Sequence, residues 1–240
     1  MKTAREVKRS QRRASTIPQI AIAGYTNAGK SSLINAMTGA GVLVEDALFA
    51  TLDPTTRRAE LADGRAVVFT DTVGFVRHLP TQLVESFRST LEEVVEADLV
   101  LHVVDGSDPF PLKQIEAVNS VITEIVQEQK VQAPPEIIVV NKIDQADPLT
   151  LAELRHVLDD VVFVSGEGIA ELEARVELFL NSLDDHVTVL IPFTHGGVVA
   201  RIHELGTVLK EDYTAEGTRI DVRLPHSVAT ELQDFIVETS

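Results

Sequence analysis

The stretch Gly24-Tyr25-Thr26-Asn27-Ala28-Gly29-Lys30-Ser31 has the spacing G-x-x-x-x-G-K-S and lies between an apolar run, QIAIAG (19–24), and an amphipathic stretch over 30–38. Such a loop is suited to phosphate. Glycines let the backbone curl until its amides face an anion, and the helix that follows adds the positive end of its dipole. Lys30 can then reach the β and γ phosphates and the Ser31 hydroxyl can ligate Mg2+, with Ser32 continuing the same nucleotide-binding turn. A second stretch, Asn141-Lys142-Ile143-Asp144, ends the apolar run EIIVV 110 residues beyond Ser31. A carboxylate at Asp144 accepts from both the ring N–H and the exocyclic amine of guanine. Adenine presents an acceptor at that ring position and leaves the carboxylate unpaired, so the pattern selects guanine.

A third stretch, Asp71-Thr72-Val73-Gly74, closes the run RAVVFT. Asp71 would hold Mg2+ through a water, and the Gly74 amide would sense the γ-phosphate, so that the following loop orders and relaxes with the nucleotide state. Ras-like enzymes keep a water-orienting Gln at the next position, and here it is Phe75. An apolar side chain orients no water, so intrinsic turnover should be slow, with Phe75 turned away from the γ-phosphate. Thr72, Arg77 and His78 are not expected to replace the Gln. Between the phosphate loop and Arg57 lies Phe49-Ala50-Thr51-Leu52-Asp53-Pro54-Thr55-Thr56, where one hydroxyl should complete the Mg2+ shell. Spacing does not choose among Thr51, Thr55 and Thr56.

These residues need a frame that brings loops far apart in sequence to one place. Apolar runs at 19–24, 65–71, 98–105, 136–142 and 161–165 alternate with stretches of helical periodicity at 30–38, 81–95, 111–129, 149–158 and 168–183. Buried strands alternating with helices predict a parallel sheet. TTRRAEL and RAVVFTD are separated only by Ala62-Asp63-Gly64, which predicts a hairpin and hence one antiparallel edge strand in a six-stranded sheet. The expected fold class is α/β, a phosphate-loop NTPase domain over 17–184. After Asp184-Asp185 the rhythm becomes strand, helix, hairpin and closing helix, a small α+β (βαββα) domain over 185–240 with little core of its own. His195-Gly196-Gly197 reads as its strand-to-helix turn, and His102 as a satisfied core residue of the run 98–105.

The 240 residues contain no cysteine, which excludes disulfides and thiolate metal sites. No apolar run reaches the length of a membrane span, and a cytoplasmic monomer is the simplest expectation. The net charge is −16, but residues 1–16 hold six Lys/Arg and one Glu, net +5, leaving −21 for the rest. That body repels bare nucleic acid. Residues 1–16 could form a phosphate-contacting arm, but read more simply as a basic remnant of a preceding helical region.

GYTNAGKSSLINAMTG, LFATLDPTTRR, DTVGFVRHLP with LVESFRSTLEEV, and NKID together resemble the HflX GTPases over residues 17–183. By that resemblance Thr51 is the Mg2+ ligand of the first switch, with Phe49, Ala50, Leu52 and Asp53 near the nucleotide. The fifth guanine-contacting element, Ser-Ala in the family, is Ser165-Gly166 here. The resemblance also implies a ribosome-associated factor that acts chiefly on the large subunit in splitting or rescue of stalled ribosomes under stress. It implies that the ribosome supplies the catalysis Phe75 does not, with ribosome contact made largely by an N-terminal domain, so this sequence is read as a partial form. Asn27 occupies the phosphate-loop position that, in some relatives, helps ligate K+ where an arginine finger would place its charge. Lys30, Asn27 and Gly74 are therefore the candidate catalytic residues. The alternative is a nucleotide-gated docking module with negligible hydrolysis. An ATP-using phosphotransferase is disfavoured by the NKID stretch.

Overall fold

The computed structural model describes residues 17–39, 55–72, 74–75 and 92–239. These residues form two compact units, one of Pro18–Ala62 and Ala66–Ala174, the other including Asp63–Arg65 and Arg175–Ser240. In the first, the expected strands form as β1 (Gln19–Gly24), β2 (Thr55–Glu60), β3 (Ala66–Asp71), β4 (Leu99–Asp105), β5 (Glu136–Asn141) and β6 (Val161–Phe163). The sheet order is β2-β3-β1-β4-β5-β6. All neighbours run parallel except β2, which pairs antiparallel with β3 across the predicted hairpin. Ile20, Ile22, Leu99, Leu101, Val103 and Val139 are fully buried. This two-sided burial is why those strands read as continuous apolar runs with no alternation.

Helices α1 (Lys30–Thr38), α2 (Pro111–Gln129), α3 (Pro148–Val157) and α4 (Ile169–Ser182) follow their strands within a residue of expectation. Their ends have local causes. Pro111 and Pro148 sit in the first turn, where a missing N–H costs nothing, and the Asp147 carboxylate caps α3 by accepting from the Leu149 and Thr150 amides. Of the stretch expected to be helical at 81–95, only 92–95 is described, and it is helical. Because β1 has β3 on one side and β4 on the other, the carboxyl ends of β1, β3, β4 and β5 meet where the strand order reverses. In open parallel sheets that crevice is where ligands bind. It collects Gly24, Asp71, Asp105 and Asn141.

The second unit contains β7 (Asp184–Ile191), α5 (Gly196–Leu205), β8 (Thr207–Tyr213), β9 (Thr218–Pro225), α6 (His226–Glu231) and β10 (Ile236–Thr239), with a 3-10 turn at Phe193–His195. His195-Gly196-Gly197 is the strand-to-helix turn. Two expectations change. The closing helix stops at Glu231, passes through a 3-10 turn at Gln233–Phe235 and becomes a strand pairing antiparallel with β7, giving the order β10-β7-β9-β8. The β-branched residues Ile236, Val237 and Thr239 suit this ladder better than a third helical turn. The unit also has a core of its own, in which Val187, Val189, Ile191, Ile202, Ile220, Val222, Leu224 and Val228 are almost wholly buried. Alternation along β7 and β9 turns every second residue inward, so a short chain still encloses a dry layer.

Arg65, which belongs to this second unit by its contacts, donates from Nη2 to Asp184 Oδ2 at 2.5 Å and to Asn181 Oδ1 at 2.9 Å. Burial pushes the Asp184 carboxyl up despite the opposing guanidinium. The pair is therefore a liability once broken. Arg65→Ala should cost about 3 kcal/mol in urea unfolding, because it strands a buried carboxylate, and adding Asp184→Leu should recover most of that loss. Equal stability of Arg65→Ala and the unaltered chain would show that water reaches Asp184 freely.

Candidate functional site

The phosphate loop leaves β1 at Gly24 and enters α1 at Lys30, with Asn27 in left-handed backbone at φ 60° and Gly29 at φ 93°. The first helical hydrogen bond runs from the Leu33 amide to the Gly29 carbonyl at 2.9 Å. The amides of Lys30, Ser31 and Ser32 precede it, so the helix offers them no acceptor and they are available to an anion. Lys30 is 7% exposed and its ammonium donates to the carbonyls of Gly24 (3.1 Å) and Tyr25 (2.8 Å). Burial lowers its pKa to about 8, while the Asp71 charge holds it up. A dehydrated ammonium with only carbonyl partners and a nearby carboxylate is arranged to gain from phosphate oxygens.

Ser31 Oγ donates to Asp71 Oδ2 at 2.8 Å, so a hydroxyl from the helix start and a carboxylate from the end of β3 converge. Oxygen donors of this kind suit a hard cation, and Mg2+ takes few protein ligands when phosphate oxygens and water supply the rest. Among the described residues no group of three or more His, Asp or Glu side chains that could hold a metal ion occurs. Thr51, together with Phe49, Ala50, Leu52 and Asp53, lies outside the described residues, as do Val73, Arg77 and His78. Of the other two threonines, Thr55 and Thr56 begin β2. Thr72 is fully buried and its hydroxyl donates to the Ile22 carbonyl at 2.7 Å, which ties the end of β3 to β1.

Gly74 lies directly against the phosphate loop, where a Cβ would stand 2.6 Å from Thr26 Cγ2 and 2.8 Å from its Cα. Only glycine fits there. Phe75 then pairs with the same loop, its amide donating to Gly24 O (3.1 Å) and its carbonyl accepting from the Thr26 amide (2.9 Å). Its side chain is 4% exposed and packs with Ala21, Ala23, Val94, Val100 and Val118. Phe75 is therefore turned into the core, as expected.

The guanine-recognition candidates are fastened to the phosphate loop itself. Asn141 Nδ2 donates to the Ala28 carbonyl at 2.9 Å, and a Cβ on Gly29 would stand 2.2 Å from that nitrogen. Asn141 Oδ1 accepts from the Lys142 amide at 2.8 Å, Lys142 has φ 58°, and Asp144 is exposed at the rim. The Ile143 amide donates to Val164 O (3.4 Å), which brings Ser165 and Gly166 alongside. Ser165 closes its own turn through the Glu167 carbonyl at 3.0 Å, with Gly166 at φ 61°. Sequence reasoning missed Asp105, whose Oδ2 accepts from Lys142 Nζ at 2.7 Å. The sequence shows only an acidic residue ending the apolar run LVLHVV, and its pairing with Lys142 is set by the fold.

A phosphate loop, a hydroxyl–carboxylate pair for a hard cation, a glycine packed against that loop and an asparagine-anchored recognition loop define a P-loop GTPase fold. A family model described as a 50S ribosome-binding GTPase matches residues 19–142. GTPase HflX of Lacrimispora saccharolytica is 41% identical over 238 residues, covering 98% of this chain and 55% of that protein. The chain belongs to the HflX family of GTPases, and it spans about half the length of the curated relatives it matches. A GTP-binding protein from the archaeon Sulfolobus solfataricus, solved with GDP, superposes with a TM-score of 0.52 at 27% identity, over 75% of this chain and 56% of that one. A variant of Era from Aquifex aeolicus shares the fold, with a TM-score of 0.54 at 22% identity, over 68% of this chain and 56% of that one.

The environment of Lys30 generates a prediction that needs no ligand. The Lys30 side-chain NMR resonance should titrate with an inflection near pH 8, and Asp71→Asn should move it lower by removing the charge that supports the ammonium. An inflection at the ordinary lysine value of 10.5 would show a solvated amine.

Proposed function

We propose that this chain binds GTP and GDP with Mg2+, hydrolyses GTP slowly by itself, and is the nucleotide-responsive part of a ribosome-associated factor. The observation that carries the reading is the Asn141–Ala28 hydrogen bond, because it makes the base-reading and phosphate-binding loops two walls of one site. Asp144 selects guanine, with Ser165 and Gly166 beside it. The amides from Asn27 to Ser32 cradle the phosphates, with Lys30 as the charge. Ser31, Asp71 through a water, and Thr51 would hold the magnesium, which would supply positive charge against the phosphates. Phosphate binding also favours the protonated amine of Lys30. GDP affinity is thus greatest below the free-protein pKa of about 8 and falls as pH rises through it, because the ligand must then restore a proton.

With Phe75 in the core, no side chain at that position positions the attacking water, so the Gly74 amide and Lys30 act without a partner and turnover is slow. Activation is assigned to the large ribosomal subunit, in line with the 50S ribosome-binding family whose model the chain matches. Splitting or rescue of stalled ribosomes under stress is the output the family resemblance favours, in the cytoplasm and as a monomer. Among the described residues no helix is long and apolar enough to cross a membrane. Asn27, exposed and in left-handed backbone at the loop tip, is proposed to help hold K+ beside the phosphates.

Single-turnover GTP cleavage tests this reading. Large subunits should accelerate it roughly tenfold or more for a form that includes the family's N-terminal domain, and KCl should exceed NaCl. No acceleration favours the docking module, and equal rates in the two salts dispose of the K+ site. Asp144→Asn should cost about 1–3 kcal/mol in GDP binding, and Lys30→Ala should abolish tight binding. Retained GDP affinity in Lys30→Ala contradicts the assigned geometry.

A further inference from the structure

The turn Asp105-Gly106-Ser107, at the carboxyl end of β4, belongs to none of the nucleotide-binding stretches, yet it holds two consecutive residues of the recognition loop. Asp105 Oδ2 accepts from Lys142 Nζ at 2.7 Å, and the Gly106 amide donates to the Asn141 carbonyl at 2.8 Å. The other carboxylate oxygen is saturated locally, since Asp105 Oδ1 accepts from the Ser107 amide at 2.9 Å and from Ser107 Oγ at 2.5 Å. The two side chains of the ion pair are 17% (Asp105) and 29% (Lys142) exposed, which is more shielded than a surface pair. Burial pushes the Asp105 carboxyl up, but the hydrogen bonds from Lys142 and Ser107 together with the Lys142 charge outweigh it, and the group titrates below the usual carboxylate range.

Among the described residues Lys142 is also one of three non-glycine residues in left-handed backbone, a conformation that L side chains adopt only when the surroundings enforce it. An exposed lysine would sample many rotamers, and ordering it on ligand binding would cost entropy. Here the cost is already met. The ammonium is tethered at one end and the backbone at the other, so the stem follows one course before any ligand arrives.

We infer that Asp105 is a positioning residue for guanine-nucleotide binding, in which the Asp105–Ser107 turn pre-orders the recognition loop through Lys142 and the Asn141 carbonyl. The inference rests on the guanine-binding reading proposed above and names a residue outside its motifs. It is a claim about preorganisation, so its effect belongs in affinity and not in the chemical step.

The test compares the full chain with Asp105→Asn, Lys142→Met, the double variant and Ser107→Ala, using fluorescent GDP binding and single-turnover GTP cleavage. Asp105→Asn keeps the size and one acceptor but places an amide, not a carboxylate, against the ammonium. It should weaken GDP about tenfold, with the cleavage rate at saturating GTP kept within about twofold. The double variant should bind no more weakly than Lys142→Met alone, since Asp105 acts through that lysine. Ser107→Ala should weaken GDP about threefold in the same direction, which keeps the idea testable if Asp105→Asn does not fold. Unchanged affinity in both Asp105→Asn and Ser107→Ala, or losses that simply add in the double variant, overturns the inference. Failure of the unaltered chain to bind GDP removes the reading beneath it and the inference too. A loss confined to Asp144→Asn, with Asp105→Asn unaffected, removes the inference alone.

Discussion

One hydrogen bond sets the scale of the site. Asn141 Nδ2 reaches the Ala28 carbonyl at 2.9 Å only because Gly29 has no side chain to stand between them. The contact joins the end of β5 to the loop after β1, two strands apart in the sheet, and so fixes the distance between a group that could read a base and groups that could hold phosphate. Everything else converges on that span. Asp71 arrives from the end of β3 to meet Ser31, Gly74 lies against Thr26, and Asp105 arrives from the end of β4 to hold Lys142.

The electrostatics of the site runs against that of the chain around it. A sequence with net charge −16 keeps Lys30 dehydrated near the loop amides, where its own burial disfavours the charge it carries. The Asp71 carboxylate opposes that cost in part. Such a site would draw an anion by fixed dipoles and one charge in a dry place, with little help from the long-range field.

Much of this was legible in the sequence because the motifs sit at strand ends, and the strand ends were marked by apolar runs. The phosphate loop, the hairpin at Ala62-Asp63-Gly64 and the helices from Pro111 and Pro148 followed from local chemistry that tertiary contacts reinforce. Phe75 could be foreseen as turned inward because an apolar side chain beside a phosphate has no partner there. Two features were not legible. The strand at Ile236–Thr239 shares its apolar spacing with a helix, and only the open edge of β7 decides between them. Asp105 looks like any polar residue ending a strand until Lys142 is seen to bend back through a positive φ. Both depend on long-range pairing, which a single sequence does not display.

The inward course of Phe75 has a consequence for how such a chain can change. Its ring fills space between the ends of β1 and the helix at 92–96, while its backbone is laced to Gly24 and Thr26. A glutamine placed there would carry its amide into aliphatic surroundings, losing packing and stranding hydrogen-bonding groups at a cost of about 1–3 kcal/mol before it could turn outward. Regaining a water-orienting side chain by a single codon change is therefore uphill. On the slow-turnover reading proposed above, the shape of the interior would then bind such a chain to an outside partner as firmly as the missing side chain does.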